Sequence, residues 1–276
     1  MSETEIKEKQ LKTLSKYGTH NITVKEIFDG NLKGSTSIVN KTIESLQVGD
    51  YVKCSSKLTE KTYTTNINET GYTTTQTFST NKNILWRVLS VDNGKIEIVA
   101  TQNVLSNDSN TGLWLSGVKG YNNVESVLKN LCEELYNSTL GTARSIKVED
   151  INKLTGYVPS NQNDSYDYIV AESISLYDTL IAETKQEDWQ DGKDNYTKWY
   201  WFSSKCLNYI DEDYDDGIRI VSAGKIDWAS VAHIGDDDGY YEEEYPSAFG
   251  VRPVITLNAN TLINSGEGTP QNPYEL

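Results

Sequence analysis

The alternation of hydrophobic and polar positions is most regular in ILWRVLSVDNGKIEIVAT, where it predicts a β-hairpin. Apolar residues recur across 85–91 and again across 95–101. Asn93 and Gly94 lie between the two runs and form a pair that favours a tight primed turn, because both residues tolerate a positive φ. We therefore predict two antiparallel strands with these bounds.

Two further patterns predict core elements. In NVESVLKNLCEELYN, residues 123–137, apolar positions such as Val124, Leu128 and Leu131 fall on one face at helical spacing, which predicts an amphipathic helix. In WYWFSSKCL, residues 199–207, aromatic side chains alternate between both faces of a strand. We expect this strand to be buried on both faces.

The chain divides into an N-terminal arm and a body. Residues 20–40 contain too few apolar positions to form a core by themselves, so we predict that residues 1–45 are a docking arm, with packing against its own body as the alternative. Residues 46–276 form the predicted body. Within it, residues 58–80 are rich in Thr, Asn and Tyr with period-two alternation, which predicts an exposed β-hairpin turning near Asn68 to Gly71.

Composition narrows the class of protein. A chain of 276 residues with 37% hydrophobic and 10% aromatic content can bury a globular core. Forty acidic against 25 basic residues give a net charge of −15, which repels phosphate backbones and argues against a nucleic-acid partner. The sequence shows neither a signal-peptide apolar region nor eighteen consecutive apolar residues, so we expect a product made in the cytoplasm that does not insert into membranes.

Cysteines and histidines offer little catalytic chemistry. Cys54, Cys132 and Cys206 are odd in number and widely spaced, which argues against a disulfide framework or a zinc site. His20 and His233 are the only histidines, and neither lies in a triad or HExxH pattern. We therefore predict a protein without catalytic residues.

The stretch SAFGVRPVITL places an arginine and a proline inside an apolar run. Proline cannot donate to a sheet ladder, so residues 251–257 are predicted to form a strand entered through a distorted first residue. The guanidinium of Arg252 is expected to bond carbonyls or a carboxylate of a nearby loop.

Two acidic clusters, DEDYDDG at 211–217 and GDDDGYYEEEY at 235–245, are candidates for calcium binding. Asp211, Asp213 and Asp215 would be the ligands. An EF-hand is excluded, because from Asp211 the glycine falls one place late and position twelve is Ser222. The alternatives are a solvated acidic loop and a glycosidase carboxylate pair.

The order of several blocks resembles a known domain. VGDYV, WRVLSVDNGKIEIVAT, ARSIKVEDI, WYWFSS, FGVRPVITL and GEGTPQNPYEL follow one another over residues 41–276. This succession resembles a domain that recurs in hypothetical proteins of Firmicutes and their phages, and is more distantly similar to C-type-lectin-like folds such as formylglycine-generating enzymes and phage tropism determinants. The resemblance implies an α+β fold: a C-type-lectin-like body of short antiparallel strands with one or two helices and long loops, plus the N-terminal arm.

The resemblance also implies where binding takes place. Arg144 and Arg252 would be structural, holding loops to the sheet. Ligand binding would involve the long loop regions at 157–198 and 208–246, which are rich in Tyr, Trp, Asp and Asn. The candidate binding residues are Trp189, Trp199, Tyr214, Asp236, Asp238, Tyr240 and Tyr241. The sequence lacks the calcium-binding triplets of C-type lectins and the thiol-pair motif of formylglycine-generating enzymes, so neither activity is carried over.

These observations favour a non-enzymatic bacteriophage virion component, located in the tail, baseplate or capsid decoration, that displays a recognition domain for host attachment. We expect an oligomer that contacts other virion proteins through residues 1–45 and binds a host cell-surface glycan or protein. No cofactor is predicted other than calcium at the acidic loops. The alternatives are a bacterial surface carbohydrate-binding protein, a calcium-dependent adhesin and a carbohydrate-active enzyme.

Overall fold

The structure, a computed structural model, describes residues 41–185, 189–190, 193–194, 196–210, 213–235 and 241–276. These residues form an α+β fold in which strands predominate, so the predicted class is confirmed. The described α-helices are α1 (Ile67–Thr70), α2 (Gly117–Tyr136), α3 (Val148–Thr155) and α4 (Tyr177–Leu180), with 3-10 turns at Ile43–Ser45, Ala182–Lys185 and Tyr196–Lys198. The described strands are β1 (Lys41–Thr42), β2 (Tyr51–Lys53), β3 (Thr62–Thr64), β4 (Thr77–Ser79), β5 (Leu85–Asp92), β6 (Lys95–Ala100), β7 (Leu113–Leu115), β8 (Gly141–Ser145), β9 (Tyr168–Ile169), β10 (Trp189–Gln190), β11 (Lys193–Asp194), β12 (Tyr200–Ile210), β13 (Asp213–Ser222), β14 (Lys225–Gly235), β15 (Tyr241–Glu244), β16 (Ser247–Val251), β17 (Pro253–Leu257), β18 (Leu262–Ile263) and β19 (Tyr274–Glu275).

A six-stranded sheet contains the predicted hairpin. Its strand order is β19-β2-β5-β6-β17-β8. Strands β5 and β6 pair antiparallel, and the turn residues Asn93 and Gly94 have φ of 48° and 80°. The hairpin is confirmed, with each strand differing from its predicted bounds by one residue at the C-terminal end.

The second sheet has seven strands and contains the long hairpins. Its order is β15-β14-β13-β12-β16-β7, and β9 also pairs with β14. On β12, Tyr200, Trp201 and Phe202 are fully buried. Trp201 belongs to one hydrophobic cluster, and Tyr200 and Phe202 belong to a second. The prediction that this aromatic strand is buried on both faces is therefore confirmed.

Arg252 marks the point where the chain passes from one sheet to the other. The predicted strand over 251–257 is wrong at its start, because β16 ends at Val251 in the seven-stranded sheet and β17 begins at Pro253 in the six-stranded sheet. The carbonyl of Arg252 accepts a hydrogen bond from the Ile146 N–H at 3.0 Å. Because proline has no N–H to donate, Pro253 suits the first position of a strand at such a break.

Helix α2 packs between the two sheets and closes the larger core. It begins at Gly117, six residues before the predicted start, and ends at Tyr136. The apolar face that the sequence predicts, including Val124, Leu128 and Leu131, is buried. The predicted amphipathic helix is confirmed. Among the described helices, none combines the length and the apolar composition needed to cross a membrane.

The segment 58–80 forms the predicted hairpin from β3 and β4, but the hairpin is not simply exposed. Phe78 is fully buried in the larger core, and α1 replaces a tight turn at the tip. Gly71 ends α1 with φ of 71°, where a Cβ would approach the Ser116 carbonyl oxygen to 1.9 Å. Only glycine fits this contact, so the tip docks against the start of α2.

The start of the described chain contacts the body. Strand β1 pairs antiparallel with β18, and Ile43 is buried in the larger core. Residues 1–40 of the predicted arm lie outside the described residues.

Candidate functional site

A cavity of about 310 Å³ lies where five segments meet, and we call it the cleft. The segments are the start of α2, the start of α3, the loop before β9, and the middle of β12 and β13. The residues that line it are Tyr121, Glu125, Lys147, Val148, Glu149, Asn152, Gln162, Asn163, Tyr166, Ser203, Ser204, Lys205 and Arg219. Two of the sequence blocks, ARSIKVEDI and WYWFSS, therefore meet the loop region that follows residue 157 at one cavity.

A bulge in β12 forms one wall of the cleft. The register between β12 and β13 shifts between Trp201 and Lys205, so the intervening serines leave the regular ladder. The Ser204 hydroxyl accepts a hydrogen bond from the Val148 N–H at 3.1 Å and donates to the Glu149 carboxylate at 3.1 Å. The bulge thus fixes the first turn of α3 and orients Glu149, and bulges are frequent beside functional sites for this reason.

Arg219 forms the floor of the cleft and is 1% exposed. Its guanidinium donates to the carbonyls of Gln162 at 3.0 Å, Tyr166 at 3.4 Å and Asp164. Its central carbon lies 3.5 Å from the centroid of the Tyr166 ring. Within the described part of the chain, no carboxylate lies at salt-bridge distance from Arg219. The arginine therefore holds the loop in place through these carbonyl bonds.

Asn152 and Tyr166 complete the loop side of the cleft, and the rings of Tyr157 and Tyr168 pack against Tyr166. Tyr157 stacks on Tyr168 with ring centroids 4.1 Å apart, and Asn152 donates to the Tyr166 hydroxyl at 3.0 Å and accepts from the Tyr168 hydroxyl at 2.7 Å. Burial raises the pKa of Tyr166, and it raises the pKa of Tyr168 to about 12. On the opposite wall, burial and then the charge of Asp216 raise the pKa of Tyr121 to about 12. These hydroxyls therefore remain protonated hydrogen-bond donors at neutral pH.

Charged side chains surround the mouth of the cleft. Lys147, Glu125 and Glu149 are exposed, and the Lys205 ammonium donates to the Asn122 carbonyl at 3.0 Å while lying 5.0 Å from the Tyr121 ring centroid. With Arg219, the lining holds three cationic and two anionic groups, a balance of +1 on a chain whose net charge is −15. None of the described lining residues is a histidine or a cysteine.

The predicted aromatic binding residues lie elsewhere. Trp199 is half-buried against the larger core, where its ring stacks on Phe249 at 5.9 Å and its Nε1 donates to the Thr184 carbonyl at 3.1 Å. Tyr214 lies opposite Tyr209 across the β12–β13 hairpin, with centroids 6.1 Å apart. Only the backbone is described for Trp189 in β10 and Tyr241 in β15. Asp236, Asp238 and Tyr240 lie outside the described residues.

The predicted calcium ligands lie near the histidine of β14. Asp215 shares a hydrogen bond with His233 Nδ1 at 2.8 Å, and Asp213 lies 3.9 Å from Nε2. Asp211 falls outside the described residues. Across the ranges that the structure describes, no group of three or more His, Cys, Asp or Glu side chains has a metal-binding arrangement. Calcium binding at this loop stays a prediction.

The two arginines expected to be structural make different contacts. Arg144 donates to both oxygens of Asp150, at 2.7 and 2.9 Å, and to both oxygens of Glu97, at 3.3 and 3.0 Å. Burial favours a higher pKa for Glu97, but the hydrogen bonds and charges of Arg144 and Lys95 lower it to about 2. Arg252 is 2% exposed, donates to the Asn103 side chain at 2.9 Å and to the Thr179 carbonyl, and lies 4.3 Å from the Tyr200 ring centroid.

Sequence reasoning did not single out Glu149, Ser204 or Arg219 as site residues. Two signals were present. A pair of serines ends the aromatic run WYWFSS, and an arginine interrupts the apolar strand GIRIV. Polar residues at buried strand positions need partners, so such positions indicate a fixed polar site.

Comparison with known proteins returns nothing that resembles this arrangement: no family model, curated protein or solved structure matches the chain.

Proposed function

We propose that this chain is a non-catalytic recognition module that binds a saccharide of a host cell surface in the cleft. The observation that supports this function is the convergence of hydrogen-bonding side chains from five segments on one cavity of about 310 Å³. That volume lies at the small end of ligand pockets in proteins, which suits one sugar ring or a molecule of similar size.

The chemistry of the lining favours a ligand rich in hydroxyl groups. A hydroxyl both donates and accepts, and the cleft offers amide groups on Gln162 and Asn163, donors on Lys147 and Lys205, and acceptors on the glutamates. The Tyr121 ring adds an aromatic surface for the less polar face of such a ligand. A purely apolar ligand would leave these groups without partners, which is unfavourable.

Binding is favoured over catalysis by the way the serine hydroxyl is used. Ser204 accepts from the Val148 N–H and donates to Glu149, so its oxygen links strand to helix. A serine nucleophile requires a base that removes its proton, commonly a histidine oriented by a third group. In the cleft, Ser204 instead serves to position a carboxylate for hydrogen bonding.

Attachment of a bacteriophage particle to its host is the setting that we propose. The order of the sequence blocks, which resembles a domain of Firmicutes and phage proteins, supports this setting. Residues 1–45 would contact other proteins of the tail, baseplate or capsid and assemble the chain into an oligomer. A surface carbohydrate-binding protein of a bacterium is the alternative setting for the same cleft.

The test is binding of the full chain to an array of bacterial cell-surface polysaccharides. We expect binding to at least one of them, and we expect Lys147→Gln and Glu125→Gln each to weaken it about tenfold, because each removes one charged hydrogen-bonding group at the mouth. The matched controls are Lys153→Gln on α3 and Glu133→Gln on α2, which lie outside the lining and are expected to bind like the wild type.

Three results would contradict this function. One is equal binding by cleft variants and controls, a second is binding to none of the polysaccharides, and a third is release of shorter saccharides from a bound polysaccharide. Repeating the assay with added calcium and with a chelator separates this cleft from the acidic-loop alternative, because only the latter requires the metal.

A further inference from the structure

A second and larger concavity, which we call the groove, lies between the β3–β4 hairpin and residues 102–110. Its volume is about 820 Å³, more than twice the 310 Å³ of the cleft, and the two share no lining residue. The residues that face it are dominated by amides and hydroxyls. The groove is therefore a separate feature that the proposed saccharide cleft does not explain.

Hydrogen bonds tie the two walls of the groove together. Asn107 on one wall donates from its amide to the Ser79 hydroxyl at 2.7 Å and from its backbone N–H to the Thr77 carbonyl at 2.7 Å. At the other end, Lys61 donates to the Asn137 carbonyl after α2 at 2.8 Å. These contacts join the hairpin, the facing loop and the helix end, so the shape of the groove is fixed before any ligand arrives.

The buried Arg252 sets one further lining residue. Its Nε donates to the Asn103 side-chain oxygen at 2.9 Å, and the Asn103 amide nitrogen donates to the Thr197 carbonyl at 2.8 Å and the Trp199 carbonyl at 3.0 Å. A Cβ at Gly250 would approach Asn103 to 2.4 Å. The arginine at the junction of the two sheets thus positions the base of the groove.

Two other lining amides are accessible to a ligand. Asn83 and Gln102 are exposed, and in the described residues neither side chain has a hydrogen-bond partner. An amide group offers two donors and an acceptor, which matches a hydroxyl that does both. The charged lining residues are two lysines, Lys61 and Lys82, and one glutamate, Glu60. Because the Lys61 ammonium is already bonded to a carbonyl, the charges of the groove do little to favour an anionic ligand.

We infer that the groove binds a neutral, polyhydroxylated chain, a linear oligosaccharide several units long. Its volume and amide-rich lining suit successive hydroxyls along such a chain. A nucleic acid is disfavoured by the net charge of −15. This inference does not depend on the cleft, because the two cavities are lined by different residues.

The test uses fluorescently labelled maltohexaose, cellohexaose and mannohexaose, titrated with the full chain and followed by polarisation. We expect at least one neutral hexasaccharide to bind, and we expect the double variant Asn83→Ala with Gln102→Ala to weaken it about tenfold or more. The matched control, Asn130→Ala with Gln271→Ala, removes two exposed amides outside the groove and should bind like the wild type. Lys147→Gln is titrated alongside to report whether a hexasaccharide binds in the cleft instead of the groove.

The inference is overturned if none of the three hexasaccharides binds. It is equally overturned if the Asn83 and Gln102 double variant binds as well as its control, or if a labelled oligogalacturonate or an extended peptide binds more tightly than every neutral probe. Loss of hexasaccharide binding in Lys147→Gln alone would place the site in the cleft and contradict the groove.

Discussion

Arg144 on β8 and Arg219 on β13 are both arginines that interrupt a strand, yet their surroundings are opposite. Arg144 is enclosed by the carboxylates of Glu97 and Asp150. Arg219 is more deeply buried, and its described partners are backbone carbonyls and the ring of Tyr166. The first arginine completes a closed ion network, while the second leaves a positive charge at the floor of an open cleft.

The difference indicates which polar groups stabilise the fold and which are available to a ligand. In the network around Arg144 every charge faces an opposite charge, and further donors from Ser90 and Thr256 reach Glu97 at 3.2 and 3.0 Å. Around Arg219 the carboxylates and ammonium groups stand at the mouth of the cavity. Buried charges are held in place by their partners, whereas the exposed charges of Glu125, Lys147 and Glu149 are accessible to a ligand.

The largest expected effect comes from opening the closed network. Arg144→Met leaves Glu97 buried without its main partner, and we expect a loss of about 3–5 kcal/mol in the free energy of unfolding. Urea denaturation measures it. The control is Lys95→Met, which removes the other cation bonded to Glu97 but from a side chain that is 59% exposed, and it should cost less than about 1 kcal/mol. Equal losses in the two variants would show that the network is not closed in this way.

Acid should weaken the same network. The pKa of Glu97 is lowered to about 2 in the folded chain from 4.5, so its contribution is fully present above about pH 4.5 and is lost as the pH falls towards 2. The free energy of unfolding falls by about 3 kcal/mol as Glu97 becomes protonated. Urea denaturation of the wild type and of Glu97→Gln between pH 6 and pH 2.5 measures it, and the variant should show a flatter dependence on pH over this range. A variant that loses stability as steeply as the wild type would contradict the assignment to Glu97.

A smaller effect is expected from Arg219. Among the described residues, Arg219→Met leaves no carboxylate without an ionic partner. The carbonyls that lose their donor belong to a loop in which Gln162 and Asn163 are exposed, so water can replace the guanidinium. We expect a loss of about 1–2 kcal/mol in urea denaturation together with faster proteolysis between residues 160 and 166. A loss as large as that of Arg144→Met would show that the two environments are equivalent in energy.

The sequence predicts the elements whose signals are local. The primed turn at Asn93 and Gly94 and the apolar face of α2 depend on residues close together in the chain, and both are confirmed. The change of sheet at Arg252 could not be predicted, because an apolar run looks the same whether it lies in one sheet or two. The cleft depends on contacts such as that of Arg219 with Gln162, 57 residues apart, which no local pattern encodes.

The central claim, that the open cleft and not the closed network meets the ligand, is tested most directly by hydrogen–deuterium exchange of the full chain. The chain is compared alone and with the cell-surface polysaccharide that it binds most strongly on the array. We expect slower exchange in residues 160–166 and 203–205, with no change in 95–100 and 141–145. Protection confined to other segments, or equal protection of both regions, would contradict the account.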